Sequence, residues 1–199
     1  PRALHPLLAA ALALAAGLAI WLAFPGHGLW PLASVGVGLL ALAVRGQGTR
    51  RAGWLGLLAG MASFVPLLAW SGIYVGKLPW FALATLESLY VALMAALMPG
   101  VWRLAGTRGA PLMVPAGIGG LWVAQEAVRG RVPFGGFPWA RIAFSQSDSP
   151  LLSLASLGGA PAVTAAVAVL GGCLAVAVTH LPRPGRATAA SLLLGVVVL

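Results

Sequence analysis

Side chains that could catalyse a reaction are few in this sequence of 199 residues. It contains one cysteine, Cys173, and one lysine, Lys77, and its three histidines lack a metal-binding spacing such as HExxH. A cysteine nucleophile needs a base within hydrogen-bond reach. Lys77 and Cys173 fall towards opposite ends of their predicted helices, so their depths differ by roughly 20 Å at a rise of 1.5 Å per residue. We therefore predict no catalytic, metal or cofactor site in this chain, and we interpret Cys173 as a small buried packing residue.

The stretch GGFPWARIAFSQ, residues 135–146, gathers polar, aromatic and backbone-bending residues between two apolar runs. Pro138 would stiffen a turn that presents Phe137 and Trp139 at a boundary between apolar and polar surroundings. Arg141 could bind a phosphate through charge-assisted hydrogen bonds. The predicted substrate-binding residues are Phe137, Pro138, Trp139, Arg141 and Gln146. The plainer alternative is a loop that only turns the chain, with arginines that reach phosphate headgroups by snorkelling.

Other residues are predicted to support this loop. Glu126 and Arg129 stand three positions apart on one helical face, so we expect them to pair with each other. Arg129 could also add a second cation near a bound phosphate. Gly136 permits a close backbone approach, and Gln146 would bond to loop backbone and hold the return into the next helix.

Glu87 lies nine residues into a predicted membrane span, near its middle. An ionisable group at that depth is a candidate functional residue. The alternative, which we favour, is a neutral or hydrogen-bonded glutamate that holds helices together through serine or backbone partners. Gly56 and Gly60 form a small-xxx-small pair that predicts close helix packing and no chemistry.

The composition predicts that the helices that position these residues lie in a membrane. Hydrophobic residues make up 60% of the chain and charged residues 8%, whereas about a quarter of a soluble domain is charged. The apolar runs are Leu7–Phe24, Leu29–Val44, Ala52–Tyr74, Leu78–Leu97, Pro111–Val128 and about Leu154–Val178, and a seventh begins at Ala187 and stops at Leu199. Since a span needs roughly 20 residues, the predicted fold class is all-α: a polytopic transmembrane helix bundle with six complete spans and a truncated seventh.

The distribution of cations predicts the orientation of the bundle. If the N-terminus is cytoplasmic, the cytoplasmic cations are Arg2, Arg45, Arg50, Arg51, Arg103, Arg108, Arg183 and Arg186, and the outer ones are Lys77, Arg129, Arg131 and Arg141. This eight-to-four excess predicts a multi-pass protein of the cytoplasmic (inner) cell membrane with the Arg129–Pro150 loop on the outer face. The net charge of +9 is spread in small groups between apolar runs, which argues against nucleic-acid binding.

Residues 121–159, LWVAQEAVRGRVPFGGFPWARIAFSQSDSPLLSLASLGG, resemble the signature region of the bacterial apolipoprotein N-acyltransferases. That family carries a helix that ends in a glutamate and RG, followed by a TGFPW loop, a YSQ and a PL…LAPLGG run. LAFPGHGLWPLA, near the start, is similar to the first hairpin of the family. This sequence departs from the pattern at Gly135, Phe144 and Ser156, where the family has threonine, tyrosine and proline, but it keeps the spacing.

The resemblance implies an acyl transfer from a membrane phospholipid to the α-amino group of the diacylglyceryl-cysteine of an apolipoprotein, through a thioester on an enzyme cysteine. It implies that a nitrilase-like domain with a Glu-Lys-Cys triad follows Leu199. Residues 1–199 would then be a transmembrane domain that admits lipid substrates and supports that catalytic domain, without a cofactor.

Two alternatives remain open. The Ala-, Gly-, Val- and Arg-rich usage suggests a GC-rich, actinobacterial type of genome, and actinobacterial relatives can be fused to or bind a polyprenol-phosphate mannose synthase. The spans would then be a membrane anchor or activator module for that enzyme. A small transporter is the third class, but it would need more polar residues at mid-membrane than Glu87.

Overall fold

The computed structural model describes residues 3–180, and within this range the regular secondary structure is entirely helical, with no strand. Its α-helices are α1 (Pro6–Ala23), α2 (Pro31–Val44), α3 (Thr49–Leu67), α4 (Ser71–Val75), α5 (Lys77–Thr107), α6 (Met113–Arg129) and α7 (Ala155–His180). Two 3₁₀ helices, η1 (Ile142–Gln146) and η2 (Pro150–Leu154), lie between α6 and α7. The all-α prediction is confirmed, and the predicted seventh span lies outside the described residues.

The predicted number of complete spans is not confirmed. Three described segments are long and apolar enough to cross a membrane: α1, α5 and the helical segment Pro150–His180. α2 is apolar but has only 14 residues, fewer than the roughly 20 that a straight crossing needs. α5 has 31 residues, or about 46 Å at 1.5 Å per residue, and exceeds the hydrocarbon thickness.

The predicted third span, Ala52–Tyr74, is not one continuous helix. α3 ends at Leu67, and the short α4 follows after a turn. The carbonyl of Val65 accepts a hydrogen bond from Trp80 Nε1 at 2.9 Å. A carbonyl in the last turn of a helix has no partner further along the helix, so this side chain stabilises the end of α3.

The long helices form a closed ring in which each packs against two neighbours, in the order α1, α2, α7, α6, α5, α3 and back to α1. Close approaches inside the ring depend on small residues. A Cβ on Gly60 would lie 2.8 Å from Ser88 Cα, and one on Gly56 would lie 2.4 Å from Ala95 Cβ. The packing role predicted for Gly56 and Gly60 is therefore confirmed, because α3 and α5 approach too closely there for any side chain.

The bundle has two ends that differ in content. One end, here called the loop end, carries the α1–α2 turn, α4, the start of α5 and the segment from Gly130 to Leu154. The opposite end, here called the far end, carries the start of α1, the α2–α3 and α5–α6 connections and the end of α7. Lys77 begins α5 at the loop end, whereas Cys173 lies in the last third of α7. The structure therefore keeps the lysine and the cysteine apart.

Candidate functional site

The loop that follows α6 folds back on its own beginning. Gly136 has a φ of 78°, and a Cβ at this position would lie 2.2 Å from Arg131 N. The amide of Phe137 donates to the carbonyl of Arg129 at 2.9 Å, which closes the turn. A residue other than glycine at position 136 would therefore collide with backbone as well as adopt an unfavourable φ. The predicted close approach at Gly136 is present.

Arg129 joins two helices to this loop from a buried position, with 1% of its surface exposed. Its Nη1 lies 2.5 Å from Glu87 Oε2 on α5 and donates to the carbonyl of Trp139 at 2.8 Å. Its Nη2 donates to the carbonyl of Ala140 at 3.3 Å. The planar guanidinium thus balances a buried carboxylate and satisfies loop carbonyls that would otherwise lack partners.

Glu126 makes the corresponding connection towards α7. Its Oε1 accepts a hydrogen bond from the amide of Ile142 at 2.8 Å, and its Oε2 accepts one from Thr164 Oγ1 at 2.8 Å. The expected pairing of Glu126 with Arg129 was wrong, since the ion pair found among the described residues is Arg129–Glu87. The two side chains diverge because Arg129 binds a residue of α5, whereas the carboxylate of Glu126 accepts hydrogen bonds from the loop and from α7.

Glu87 is an ion-pair partner, not a glutamate held by serine or backbone groups as we favoured from the sequence. Its side chain is 1% exposed and lies on α5, the helix that packs between α3 and α6. A signal for the pair was present in the sequence: in so apolar a chain, a carboxylate and a guanidinium that are both buried must find each other. Nothing in the sequence indicated the role of Thr164.

Gln146 is also buried, with 1% of its surface exposed. Its Nε2 donates to the carbonyl of Trp30 at 3.2 Å and lies 2.8 Å from Ser145 Oγ. The expected bond to loop backbone is replaced by this link to the residue before α2, which ties η1 to the first hairpin of the bundle. In this position the side chain holds the loop, and direct contact with a substrate stays a prediction.

Trp139 presents an aromatic face on the outside of the loop, with 58% of its surface exposed. Its ring centroid lies 5.5 Å from that of Trp70, which precedes α4. Together they border an open groove of about 250 Å³ at the loop end. The groove is lined by Phe24, Pro25, Leu67, Leu68, Trp70, Trp139, Ala140 and Phe144. Apart from the two indoles, its lining side chains are purely apolar. Phe137 is half-buried and Pro138 is exposed.

Arg141 directly follows Ala140 in the same loop and is half-buried. It lines a small cavity of about 80 Å³ together with Arg131, Glu126 and Pro161. Among the described residues, no acceptor pairs with the buried Nε of Arg141. The second cation at this cavity is Arg131 and not Arg129, whose guanidinium is enclosed by Glu87 and the loop carbonyls. The loop therefore carries the apolar groove and the positive charge on consecutive residues, at the same end of the bundle.

The interpretation of Cys173 as a buried packing residue was wrong, because its side chain is exposed on α7. The neighbouring glycines 171 and 172 occupy the packed side of the helix instead. The described residues contain no group of His, Cys, Asp and Glu side chains that could hold a metal ion.

Comparison with known proteins places the sequence of this chain in a family. The family model described as the apolipoprotein N-acyltransferase N-terminal domain matches residues 16–173. The chain belongs to this family. The resemblance seen in the loop sequence is therefore confirmed over most of the chain, and the membrane character of the apolipoprotein N-acyltransferases agrees with the apolar helices found here.

Relatives named apolipoprotein N-acyltransferase match most of this chain. The one from Mycolicibacterium smegmatis is 40% identical over 195 residues, which cover 94% of this chain and 32% of the relative. Those from Pseudomonas putida and Azotobacter vinelandii are 34% and 36% identical and cover 92% and 94% of this chain, but 37% and 36% of their own lengths. The chain thus spans about a third of these relatives. Their names lend no support to the mannose synthase alternative, which stays a prediction.

Proposed function

We propose that residues 1–199 form the membrane domain of an apolipoprotein N-acyltransferase, and that the loop after α6 shapes the entrance for its lipid substrates. The observation that carries this proposal is that consecutive residues of one loop line two different spaces: Trp139 and Ala140 line the apolar groove, and Arg141 lines the small cavity with Arg131. An apolar surface and a positive charge on the same loop match the two parts of a phospholipid, its acyl chain and its phosphate.

Each part of the site has a defined task in this proposal. The indoles of Trp139 and Trp70 give rigid apolar surface against which an acyl chain packs. Arg141 supplies charge-assisted hydrogen bonds to the phosphate, and its half-buried position strengthens them relative to a fully hydrated side chain. Phe137 and Pro138 complete the rim of the entrance.

The buried side chains around the loop have a different task, which is to fix its shape before a lipid arrives. Arg129 holds the carbonyls of Trp139 and Ala140, and Glu126 holds the amide of Ile142. These bonds flank Arg141 on both sides in the chain. A loop held in this way loses less conformational entropy when it binds a ligand than a mobile loop does.

Catalysis itself belongs, in this proposal, to the part of the protein beyond Leu199. The resemblance implies that an enzyme cysteine there attacks an ester carbonyl of the phospholipid, which forms a thioester and releases the lysophospholipid as the alcohol. The α-amino group of the diacylglyceryl apolipoprotein then attacks this thioester, which forms the amide, breaks the carbon–sulfur bond and frees the cysteine thiol. The described residues contribute binding and orientation, in the cytoplasmic membrane with the loop on the outer face.

The test replaces the groove and the cation separately in the full-length protein. Trp139→Ala and Arg141→Ala should each lower acyl transfer from phospholipid to a diacylglyceryl peptide by tenfold or more, which is roughly 1.4 kcal/mol of transition-state stabilisation. Both variants should remain folded and inserted, because neither side chain belongs to the buried network.

Matched controls come from exposed side chains of the same types on α3 and α5. Trp54 on α3 is 63% exposed, and Arg103 on α5 is exposed, and neither lines the groove or the cavity at the loop end. Trp54→Ala and Arg103→Ala should keep near-normal transfer. Near-normal transfer by Trp139→Ala and Arg141→Ala would refute the entrance and leave the loop as a turn.

A further inference from the structure

A second cavity lies at the far end of the bundle, away from the lipid entrance proposed above. Its volume is about 360 Å³, within the range of about 300–1,000 Å³ that small-molecule sites occupy. It opens between the end of α2, the end of α5, the start of α6 and the end of α7. No residue that lines it makes any of the hydrogen bonds described above for the loop after α6.

Arg45 is the cation of this cavity, and its position is fixed by an aromatic side chain. The guanidinium carbon lies 5.3 Å from the ring centroid of Trp102. The indole of Trp102 is itself held, because its Nε1 donates to the carbonyl of Ala41 at 3.1 Å. Among the described residues, no acceptor pairs with the buried Nε of Arg45. The cation–π contact therefore orients a guanidinium that has hydrogen-bonding capacity left for a ligand.

The rest of the lining is amphipathic. Val114 on α6 and Val176 on α7 give an apolar wall, while Thr179 and His180 bring polar groups to the end of α7. A ligand that fills this space must therefore carry an anionic group and an apolar part. A free anion would leave the apolar wall without a partner, and a plain hydrocarbon would leave the guanidinium without one.

The distribution of charged residues indicates that the ligand is negatively charged. The far end carries Arg45, Arg50, Arg51, Arg103 and Arg108. The three acidic residues of the whole sequence, Glu87, Glu126 and Asp148, all belong to the half of the bundle towards the loop end. This excess of positive charge attracts anionic lipid headgroups, and basic pockets between membrane helices are known to hold them.

We propose that the far-end cavity binds the phosphate headgroup of an anionic phospholipid. Arg45 binds the phosphate, and the start of an acyl chain packs against the wall formed by Val114 and Val176. This site differs from the entrance at Trp139 and Arg141 in position and in role, since no reaction takes place there. A lipid bound at this position would contact α2, α5, α6 and α7 together, at the end of the bundle opposite the loop after α6.

The test measures lipid binding to the purified full-length protein by native mass spectrometry, with phosphatidylglycerol and phosphatidylcholine of the same acyl chains. Wild-type protein should retain one more phosphatidylglycerol than phosphatidylcholine. Arg45→Gln should weaken this retention at least tenfold. Arg50→Gln, which removes an exposed charge at the same end outside the cavity, should change it less than twofold.

A second variant tests the cavity while it keeps Arg45. Gly106 lines the cavity, and a Cβ there would meet nothing within 4 Å. Gly106→Leu should therefore fold, occupy the space and weaken phosphatidylglycerol retention at least tenfold, which decides the question even if Arg45→Gln does not fold.

Three outcomes would overturn the proposal. Unchanged retention by Gly106→Leu would exclude the cavity as the site. Equal losses in Arg45→Gln and Arg50→Gln would indicate diffuse attraction to the charged end. Displacement of the retained lipid by inorganic phosphate at equal concentration would assign the site to a free anion. The lipid entrance at the loop end is untouched by all three variants, so its test stands separately.

Discussion

Arg129 is the side chain on which the shape of the loop depends most directly, because one guanidinium contacts Glu87 and three loop carbonyls. Arg129→Lys keeps the charge but replaces a planar fork of donors by a single ammonium group. We expect this variant to leave at least one buried carbonyl without a donor and to lose about 2 kcal/mol of stability. Chemical denaturation of the detergent-solubilised full-length protein measures the change.

The control for this substitution is Arg131→Lys, two residues further along the chain. Arg131 is exposed and donates to the carbonyl of Ala127 within its own helix end. Because water can replace that bond, the stability should stay unchanged. An equal loss in both variants would show that lysine is poorly tolerated in this segment in general, and would contradict the buried role of Arg129.

A substitution of Cys173 tests whether this cysteine takes part in acyl transfer. Its side chain is exposed on α7, and the lysine of the chain begins α5 at the loop end. A thiol without a base cannot serve as the nucleophile. Cys173→Ala in the full-length protein should therefore leave the rate of acyl transfer nearly unchanged. A loss of more than tenfold in folded protein would contradict this assignment, with wild-type protein assayed in parallel.

At the scale of elements, a single substitution can probe the contact between α3 and α5. A Cβ at Gly60 would lie 2.8 Å from the backbone of Ser88, whereas one at Gly120 on α6 would meet nothing within 4 Å. Gly60→Ala should destabilise the protein by about 1–3 kcal/mol through overpacking. Gly120→Ala should stabilise it by about 0.5–1 kcal/mol, because alanine loses less backbone entropy in a helix.

Thermal denaturation of the two variants side by side gives the sign of each effect. The substitution is identical and both glycines are in helices, so intrinsic propensity is matched. If Gly60→Ala were as stable as Gly120→Ala, the two helices would have room to separate, and the tight packing of α3 on α5 would not hold.

At the scale of the whole molecule, the eight-to-four distribution of cations predicts which end faces the cytoplasm. Gly48 at the far end and Ser147 at the loop end are both exposed. In a Cys173→Ala background, a cysteine at Ser147 should react with an impermeant thiol reagent in intact cells, and one at Gly48 should react only after the membrane is opened. The reverse pattern would invert the topology.

The class of fold and the family were both predictable from the amino-acid sequence. Apolar runs of about 16 to 25 residues predict helices because only internally bonded backbone is stable in lipid, and α1 and α6 begin and end within two residues of their predicted runs. The loop motif depends on local chemistry, since glycine at position 136 permits a positive φ and Pro138 fixes its own φ. That is why Gly136 and the exposed Trp139 were found from sequence.

Tertiary structure alone decided which partners the buried charges choose. Spacing on one helix favoured Glu126 with Arg129, but Arg129 binds Glu87, 42 residues away, and Glu126 binds Thr164, 38 residues away. Whether Cys173 faces the core or the outside was likewise set by which side of α7 packs. Helical periodicity defines neighbours within an element, whereas the partner of a buried polar group is defined by which elements meet, and the ring order of the helices is a property of the folded chain.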